Sequence, residues 1–395
     1  MLVIKNASVY APEHLGLRDL LVAGDRIVAM AERIDEARLP VPCAIIDAAG
    51  RRTTPGLIDG HVHLTGGGGE GGFGTRTPEM PLSAATLAGV TTVVGVLGTD
   101  GLTRSPEALV AKVYALREEG LSAWCFTGSY RVPPVTVTGD VTKDIMMIEP
   151  VIGVGEVAVS DHRSSKPTDA ELSRLASQAR LGGMLSGKAG LVNVHLGDAQ
   201  AGFGPLERAV AAGDLPRTQF LPTHCNRNPR LMAEALDWAR AGGRVDFTAS
   251  TTAAFLAGGE TSAAAALAAF LGAGAPLSAI TVTSDGQGSL PRFDADGRLC
   301  GLEVGGCASL LSFLREGMAA GIVSFESMLA AVTENPARAL GLGSKGRIEV
   351  GMDADMVVFD DGLAPAFVVA RGRVMVADGR PLVLGAFEPP AGEPA

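Results

Sequence analysis

The sequence predicts an α/β protein in which a (β/α)8 barrel of the TIM type is joined to a small β-sandwich domain built from both chain ends. Apolar, strand-like segments alternate with helical segments through the middle of the 395-residue chain. Short strand-like segments separated by turn residues occupy both ends. The composition, 47% hydrophobic with 52 glycines and 5% aromatic residues, is typical of many buried parallel strands flanked by helices.

The central segment, residues 56–344, contains about eight apolar segments, the number that a barrel needs. They are GLIDGHVH, TTVVGVLG, SAWCFTG, VIGVGEVAV, LVNVHLG, TQFLPTH, RVDFTAS and ITVTSDG. Helical stretches such as PEALVAKVYALREEG and NPRLMAEALDWARAGG lie between several of them, which predicts βαβ units and a parallel sheet. A doubly wound open sheet is the alternative.

Both chain ends have the pattern of short strands. Residues 1–55 contain LVIKNASVY, LLVAGDRIVAMA and AIIDAAG, and residues 345–395 contain GRIEVGMDADMVVFDD and AFVVARGRVMVADGRPL. Turn residues separate these segments. We therefore expect the two ends to pair into one small β domain, and residues 56–344 to form the barrel domain.

Charge and cysteine content exclude several classes of protein. A net charge of −10 and a pI near 5.2 argue against a nucleic-acid partner, which requires a basic surface. The sequence has no run of basic residues that would bind a membrane surface. The alanine-rich stretch 263–269 is interrupted too soon to span a membrane. The amino terminus does not resemble a signal peptide. Five scattered cysteines without a CxxC pair predict a reduced, cytoplasmic protein.

Four of the six histidines lie at the carboxyl ends of predicted strands, where barrel enzymes assemble their sites. His61 and His63 end GLIDGHVH, and alternation along a strand points both imidazoles to one side. His195 ends LVNVH, His224 ends QFLPTH and Asp285 ends ITVTSD. Each pattern alone has an ordinary explanation, such as a strand cap or a turn. Their conjunction favours a site for zinc or a similar divalent metal.

One acidic residue, Glu156, stands in the apolar segment VIGVGEVAV, which is predicted to be a strand buried on both faces. An ionised carboxylate is rare there unless a partner offsets its desolvation. A buried arginine or a partly wet strand end is the ordinary explanation. With the strand-end ligands, however, Glu156 completes a set sufficient for two metals about 3.5–4 Å apart that share a bridging carboxylate and a bridging hydroxide.

Six stretches, taken in order, make the chain resemble the isoaspartyl dipeptidase family of the metal-dependent amidohydrolase superfamily. They are HVHLTGGGGEGG, VVGVLGTDG, FTGSYRVP, SDHRS, THCNRNP and SDGQGS, and the resemblance covers nearly the whole chain. It implies a binuclear-metal hydrolase that cleaves the isopeptide bond of β-aspartyl dipeptides by attack of a metal-bridging hydroxide. It also implies two divalent ions, with zinc favoured, and a homo-oligomer.

The chain departs from the family pattern at the metal bridge. The family's fourth strand usually supplies a lysine that is carboxylated on its amine, but no lysine lies between Lys143 and Lys166. Glu156 stands about where that lysine is expected, and some relatives in the wider superfamily use a glutamate. Glutamate is shorter, so the backbone must come closer or the metals must shift. Gly153 and Gly155 would allow this, because a glycine within a strand often marks a bulge.

The resemblance also implies roles for the metal ligands. The HxH pair would hold one metal, and His195 with His224 would hold the other. Glu156 would bridge the two metals. Asp285 would ligate the first metal, take a proton from the bridging water and hand it to the leaving amine.

The resemblance implies further roles around the substrate. Tyr130 would donate to the developing oxyanion. Glu70, in the glycine-rich loop after HVH, suits a free α-ammonium, and Arg163 and Arg227 suit carboxylates because guanidinium binds them in a fork. Ordinary explanations are a packed tyrosine, a solvated loop and surface salt bridges. Three further positions match those that line the pocket: Gly68, Thr99 and Ser289.

Two other functions stay open at this point. Another amidohydrolase, such as a cyclic-amide hydrolase or an N-acyl-amino-acid deacylase, would keep the metals but would not need Glu70 as an ammonium receptor. A non-catalytic amidohydrolase-like scaffold would be consistent with the missing lysine. Retention of the strand-end histidines and Asp285 argues against the scaffold.

Overall fold

A computed structural model describes residues 1–212, 214–294 and 299–389. Within these residues the chain forms strands and helices in alternation through its middle and strands alone at its ends. The strands are β1 (Leu2–Tyr10), β2 (His14–Ala23), β3 (Arg26–Ala31), β4 (Ala44–Asp47), β5 (Arg52–Pro55), β6 (Leu57–Val62), β7 (Val90–Gly95), β8 (Ser122–Thr127), β9 (Val151–Val159), β10 (Leu191–Leu196), β11 (Phe220–Thr223), β12 (Val245–Thr248), β13 (Ile280–Thr283), β14 (Ser289–Phe293), β15 (Leu299–Val304), β16 (Met356–Phe359), β17 (Pro365–Ala370), β18 (Arg373–Ala377) and β19 (Arg380–Pro381). The α-helices are α1 (Leu82–Thr86), α2 (Pro106–Glu119), α3 (Val141–Met147), α4 (Asp169–Ser186), α5 (Gly204–Ala211), α6 (Pro229–Arg240), α7 (Ala253–Ala257), α8 (Ala263–Gly272), α9 (Ala308–Ala320), α10 (Phe325–Val332) and α11 (Glu334–Ala339).

The strands of the two chain ends belong to one sheet. In the described part of the chain this sheet has nine strands, in the order β19-β18-β17-β16-β5-β1-β2-β3, with β4 paired to β1. The antiparallel pairing of β16 with β5 joins the carboxyl-terminal strands to the amino-terminal ones. Buried Val9, Leu20 and Met356 are part of the hydrophobic cluster of this β-rich unit. The two ends therefore build one β-rich unit, and its arrangement as a two-layered sandwich stays a prediction.

The central strands are parallel and follow chain order. Strands β6 to β11 form one sheet and β12 pairs with β13. The order shows none of the reversal that defines a doubly wound sheet. The amide of Cys225, just after β11, donates to the carbonyl of Asp246 in β12 at 3.1 Å, and the amide of His63 donates to the carbonyl of Gly286 at 2.8 Å. The first bond links β11 to β12, and the second links the segments that follow β6 and β13.

Helices pack against this sheet, and its strands β7, β9 and β10 are buried along their whole length. Helix α4 shows how the sequence sets the limits of a helix. Thr168 and Glu171 form a capping box at its start, and Gly187 ends it in the left-handed conformation at φ +70°. Trp238 of α6 is fully buried in the core, and its ring centre lies 5.6 Å from that of Phe203. The helices thus fix the strand ends that carry the polar residues.

Sequence analysis did not predict the antiparallel hairpin of β14 and β15, which follows β13. The hairpin begins at Ser289, one of the positions expected to line the pocket. The predicted small domain extends to residue 395, and its residues 390–395 lie outside the described residues. Among the residues described, no helix has both the length and the apolar character needed to cross a membrane.

Candidate metal centre and active site

The predicted metal ligands come together at the carboxyl ends of the central strands. His61 lies in β6 and His195 in β10, whereas His63, His224 and Asp285 lie just beyond the ends of β6, β11 and β13. His224 and Asp285 have positive φ values of 61° and 53°, a backbone conformation that most side chains avoid. Such backbone outliers often occur at functional sites, where the surrounding structure fixes a side chain in place.

Glu156 lies at a bulge in β9. Val154 pairs with Val192 and Val157 with Val194, so two residues of β9 face Asn193 of β10. Gly155 is one of them, and a Cβ atom there would lie 2.7 Å from the carbonyl oxygen of Asn193. A Cβ at Gly153 would lie 2.5 Å from the carbonyl oxygen of Leu191. The close approach that the two glycines were expected to allow is present.

The carboxylate of Glu156 faces all four strand-end histidines, so it does not point away from them. Glu156 and His61 are each about 1% exposed. The separations are 3.2 Å to His61 Nε2, 3.4 Å to His63 Nε2, 3.3 Å to His195 Nδ1 and 3.8 Å to His224 Nε2. Glu156 is therefore the residue that the four imidazoles share.

The structure contains two groups of three residues whose possible ligand atoms lie within 4.8 Å of one another inside each group. His61 belongs to both groups. One group is His61, His63 and Asp285, and the other is His61, Glu156 and His224. His195 belongs to neither group, although its Nδ1 atom lies 3.3 Å from Glu156 Oε2. The predicted pairing of His195 with His224 on one metal therefore stays a prediction.

The chemistry of these atoms fits a metal. Several buried polar atoms of the cluster have no hydrogen-bond partner in the described part of the chain. They are both ring nitrogens of His61, Nδ1 of His63, Oε2 of Glu156 and Oδ1 of Asp285. Buried polar atoms are nearly always hydrogen-bonded, so a cluster of exceptions requires an explanation. Imidazole nitrogens and carboxylate oxygens that share one space without hydrogen bonds are a suitable donor set for zinc-like ions.

The buried charges of the cluster act on one another. Burial alone would raise the pKa of Glu156, but the positive charge of His61 and the neighbouring rings of His195 and His224 hold it well below its ordinary value. Burial would lower the pKa of His61, whereas Glu156 and Asp285 raise it to about 9. The cluster keeps its carboxylates ionised and holds positive charge beside them. A divalent cation would take the place of that proton.

Two outer residues fix the orientation of the imidazoles, and sequence analysis missed both. Nδ1 of His224 is hydrogen-bonded to Thr248 Oγ1 at 2.6 Å, which turns Nε2 toward Glu156. Nε2 of His195 lies 3.0 Å from Asp161 Oδ2, which leaves Nδ1 for Glu156. Burial lowers the pKa of His224 to about 3, which favours the neutral ring that binds metals. Outer partners of this kind orient metal-binding histidines.

Asp161 also connects the cluster to Arg163. It accepts hydrogen bonds from Arg163 Nε at 3.0 Å and from Arg163 Nη2 at 2.9 Å. The carboxylate lies two residues before Arg163 at the end of β9, within the motif SDHRS. That position, at the carboxyl end of a predicted strand, is the signal by which the sequence could have indicated it.

Tyr130 lies at the edge of the cluster. Its hydroxyl is hydrogen-bonded to His195 Nδ1 at 2.8 Å, and the Arg163 guanidinium lies 5.3 Å from the centre of its ring. Burial and the negative charge of Glu156 raise the pKa of Tyr130 well above its ordinary value. The hydroxyl therefore keeps its proton and can act as a donor.

The cluster opens into a cavity of about 600 Å³. Glu70 lies on its wall, where Thr99 Oγ1 donates to Glu70 Oε1 at 2.8 Å and Arg163 Nη1 donates at 3.3 Å. Gly68 has φ +69°, and a Cβ there would lie 2.8 Å from the carbonyl oxygen of Thr75. His61 and Glu156 lie behind the cavity. The other predicted site residues line it: His63, Gly68, Glu70, Thr99, Tyr130, Arg163, His195, His224, Arg227, Asp285 and Ser289.

Comparison with known proteins identifies relatives of this chain. Residues 226–379 match the Amidohydrolase family. The solved structure of a β-aspartyl dipeptidase from Fervidobacterium islandicum AW-1, in complex with β-Asp-Leu dipeptide, is 43% identical with a TM-score of 0.91, and the match covers 98% of each chain. A second structure of a β-aspartyl dipeptidase from that organism is 41% identical with a TM-score of 0.89, over 98% of this chain and 100% of the other. The dihydroorotase of Lactobacillus gasseri is 23% identical over 91% of this chain and 88% of its own.

An identity of 43% that extends over 98% of both chains demonstrates common descent and a common fold. The amidohydrolase fold places a barrel beside a β-rich domain, which agrees with the two kinds of sheet described above. The family that the sequence motifs indicated is confirmed. The chain is a hydrolytic enzyme of the amidohydrolase superfamily and belongs to the β-aspartyl (isoaspartyl) dipeptidase family.

Proposed function

We propose that this enzyme cleaves the isopeptide bond of β-aspartyl dipeptides with the help of two metal ions. The observation that carries the proposal is one cavity that joins the ligand cluster around Glu156 to charged groups of both signs, Glu70 and Arg163. A β-aspartyl dipeptide carries a free α-ammonium and free carboxylates close to its scissile bond. The solved dipeptidase that is 43% identical to this chain holds β-Asp-Leu, which supports the same substrate class.

The donor set fits two divalent ions, and imidazole with carboxylate favours zinc. The HxH pair with Asp285 would hold one ion, His195 with His224 would hold the other, and Glu156 would lie between them. When bound, such ions ionise a water molecule near neutral pH and polarise a carbonyl oxygen. Thr248 and Asp161 keep the outer imidazoles in the orientation that this arrangement needs.

Asp285 is the proposed proton carrier. Its Oδ1 atom lies 3.2 Å from His63 Nε2 and has no hydrogen-bond partner among the described residues. Burial would raise the pKa of Asp285, but the adjacent histidines hold it below its ordinary value, so the carboxylate can accept a proton. It would take that proton from the attacking water and pass it to the leaving amine. Tyr130 would donate its hydroxyl proton in a hydrogen bond to the oxyanion.

The charged residues of the cavity would orient the substrate. Glu70 would receive the α-ammonium group, and Arg163 and Arg227 would receive carboxylates. Thr99 and Arg163 already fix the Glu70 carboxylate, so little ordering is required on binding. The neighbouring positions Gly68 and Ser289 would line the pocket.

The test is hydrolysis of β-aspartyl-leucine beside α-aspartyl-leucine by the zinc-loaded enzyme. We expect cleavage of the β isomer alone. We also expect Glu70→Gln to lower kcat/KM for the β isomer by at least about tenfold, because a charge-assisted hydrogen bond is lost. Two bound metals with no cleavage of either peptide would contradict the proposal and favour another amide substrate, such as a cyclic amide. Unchanged activity of Glu70→Gln would contradict the role of Glu70.

We also infer a closed (β/α)8 barrel over residues 56–344 and a small domain from residues 1–55 and 345–395. The parallel bridge between Val62 and Gly286 supports closure between the first and last strands. The five unpaired cysteines support a reduced, cytoplasmic setting. The homo-oligomer stays a prediction that sedimentation would test.

A further inference from the structure

A further carboxylate on the cavity wall, that of Glu260, has no role in the mechanism above. Glu260 lines the same cavity as the metal ligands, on the loop between α7 and α8. Its Oε1 atom is buried and has no hydrogen-bond partner in the described part of the chain. Burial raises the pKa of this carboxyl, whereas a hydrogen bond with the Thr251 side chain and the positive charge of Arg227 lower it. A buried carboxylate oxygen without a partner is costly, which points to a cation supplied from outside the protein.

The protein holds Glu260 in a fixed position. Asn226, two residues after His224, is buried, and its Nδ2 group donates to the carbonyls of Thr248 at 3.0 Å and Thr261 at 2.8 Å. The amide of Thr261 returns a bond to the carbonyl of Asn226 at 2.9 Å. These bonds tie the segment that carries Glu260 directly to the strand ends that carry the metal ligands. The backbone beside Glu260 is therefore held in place, which reduces the ordering that ligand binding requires.

The surroundings of Glu260 combine apolar side chains with its negative charge. Phe255 of α7 and Leu290 and Pro291 of β14 line the cavity together with Glu260. Glu70, in contrast, belongs to the loop after β6, and its partner Arg163 follows β9. If the aspartyl end binds near Glu70 and the scissile bond lies at the metal cluster, the wall of Glu260 is left for the second residue.

We propose, on the basis of the proposed dipeptidase function, that Glu260 selects β-aspartyl dipeptides whose second residue is basic, lysine or arginine. The aliphatic stem of that residue packs on Phe255 and Leu290, and its cationic head group donates to the Glu260 carboxylate. Long basic side chains bind in this way, with the stem on an apolar surface and the charge at its end. A hydrogen bond between two charged groups is about twice as strong as a neutral one.

The test compares kcat/KM for β-aspartyl-lysine with kcat/KM for β-aspartyl-norleucine, which has a side chain of similar length without the charge. For the unchanged enzyme we expect the ratio to favour lysine at least tenfold. In Glu260→Gln we expect that ratio to fall to near one, and in Glu260→Arg we expect β-aspartyl-glutamate to be preferred over norleucine. Glu107→Gln, at an exposed carboxylate on α2, is the matched control and should leave the ratio unchanged.

The outcomes separate this inference from the proposed function. Cleavage of β-aspartyl-norleucine without a preference for lysine overturns the role of Glu260 alone. An equal loss on all peptides in Glu260→Gln also overturns it, because Glu260 would then act by orienting Arg227. Failure to cleave any β-aspartyl peptide overturns the proposed function and this inference with it. A lysine preference that disappears in Glu260→Gln and persists in Glu107→Gln supports both.

Discussion

Glu156 would make the proposed metal site independent of a modification. A lysine becomes a bridging ligand only after its amine has reacted with carbon dioxide, whereas a glutamate is a carboxylate from the start. The bulge that carries Glu156 brings the backbone close to Asn193, and its carboxylate lies within 3.2–3.8 Å of four imidazoles. The shorter side chain is thus placed where its charge is needed.

This substitution predicts activity that does not depend on bicarbonate. We expect the metal-free enzyme to regain the same β-aspartyl-leucine hydrolysis whether zinc is returned in degassed buffer or in buffer with bicarbonate. The measurement is the rate of recovery and its final level under the two conditions. A clear stimulation by bicarbonate would contradict a glutamate bridge and would indicate a carboxylated lysine elsewhere in the chain.

Removal of the Glu156 charge should remove metal. Glu156→Gln keeps the size of the side chain but loses the anion that faces the imidazoles, so we expect less than one bound ion per chain and a loss of activity of at least about 100-fold. Elemental analysis of the purified protein measures the metal content. Glu149→Gln, at an exposed carboxylate, is the control. A full metal complement in Glu156→Gln would refute the assignment.

Tyr130 should affect the rate far more than it affects substrate binding. Loss of one oxyanion donor lowers kcat by about 10²–10³-fold, so Tyr130→Phe should show this fall with KM nearly unchanged. Its metal content should stay normal, which elemental analysis checks. Because the hydroxyl also contacts His195 at 2.8 Å, a loss of metal in this variant would assign the tyrosine a positioning role instead.

At the scale of elements, strand β9 depends on its glycines. The Cβ of Gly155→Ala would lie 2.7 Å from the carbonyl oxygen of Asn193, so the bulge must shift and take Glu156 with it. We expect a loss of about 1–3 kcal/mol in the free energy of unfolding together with a lower metal content. Urea unfolding and elemental analysis measure the two effects. Gly343→Ala, where an added Cβ meets nothing within 4 Å, should change neither.

The same strand explains why much of the fold could be predicted. The segment VIGVGEVAV has the bounds of β9 in the structure, Val151–Val159, because a strand buried on both faces must be apolar throughout. The polar residues at the ends of such strands could each be identified from the sequence. They could also be assigned to one site, because the carboxyl ends of parallel strands lie at the same edge of a sheet.

Other features of the site carry no such signal. Asp161 and Thr248 act through contacts with His195 and His224 that span tens of residues of chain. Glu260 belongs to a loop without periodicity, and its environment depends on a hydrogen bond from Asn226 to the carbonyl of Thr261. The hairpin of β14 and β15 is short and rich in turn residues. Tertiary contacts, which local patterns do not encode, decide these positions.

At the scale of the whole molecule, one buried lysine connects the two kinds of sheet. Lys345 Nζ donates to Ser122 Oγ of β8 at 2.6 Å and to Asp353 at 2.7 Å, and it also contacts Asp355 beside β16. Its side chain is 3% exposed. Asp355 in turn accepts a hydrogen bond from the amide of Arg371 at 2.8 Å. The barrel strand and the β-rich unit therefore share one charged network, away from the metal ligands.

Removal of this lysine should destabilise the chain without changing its chemistry. Lys345→Met keeps the bulk of the side chain but leaves Asp355 buried without its cation, and breaking a buried pair in this way costs about 3–5 kcal/mol. Arg338→Met breaks an exposed pair with Glu334 and should cost at most about 1 kcal/mol. Urea unfolding measures both losses, and kcat at 25 °C should stay unchanged in both variants. Equal stability of the two variants would mean that the Lys345 network does not hold the barrel and the β-rich unit together, and that apolar contacts alone stabilise their interface.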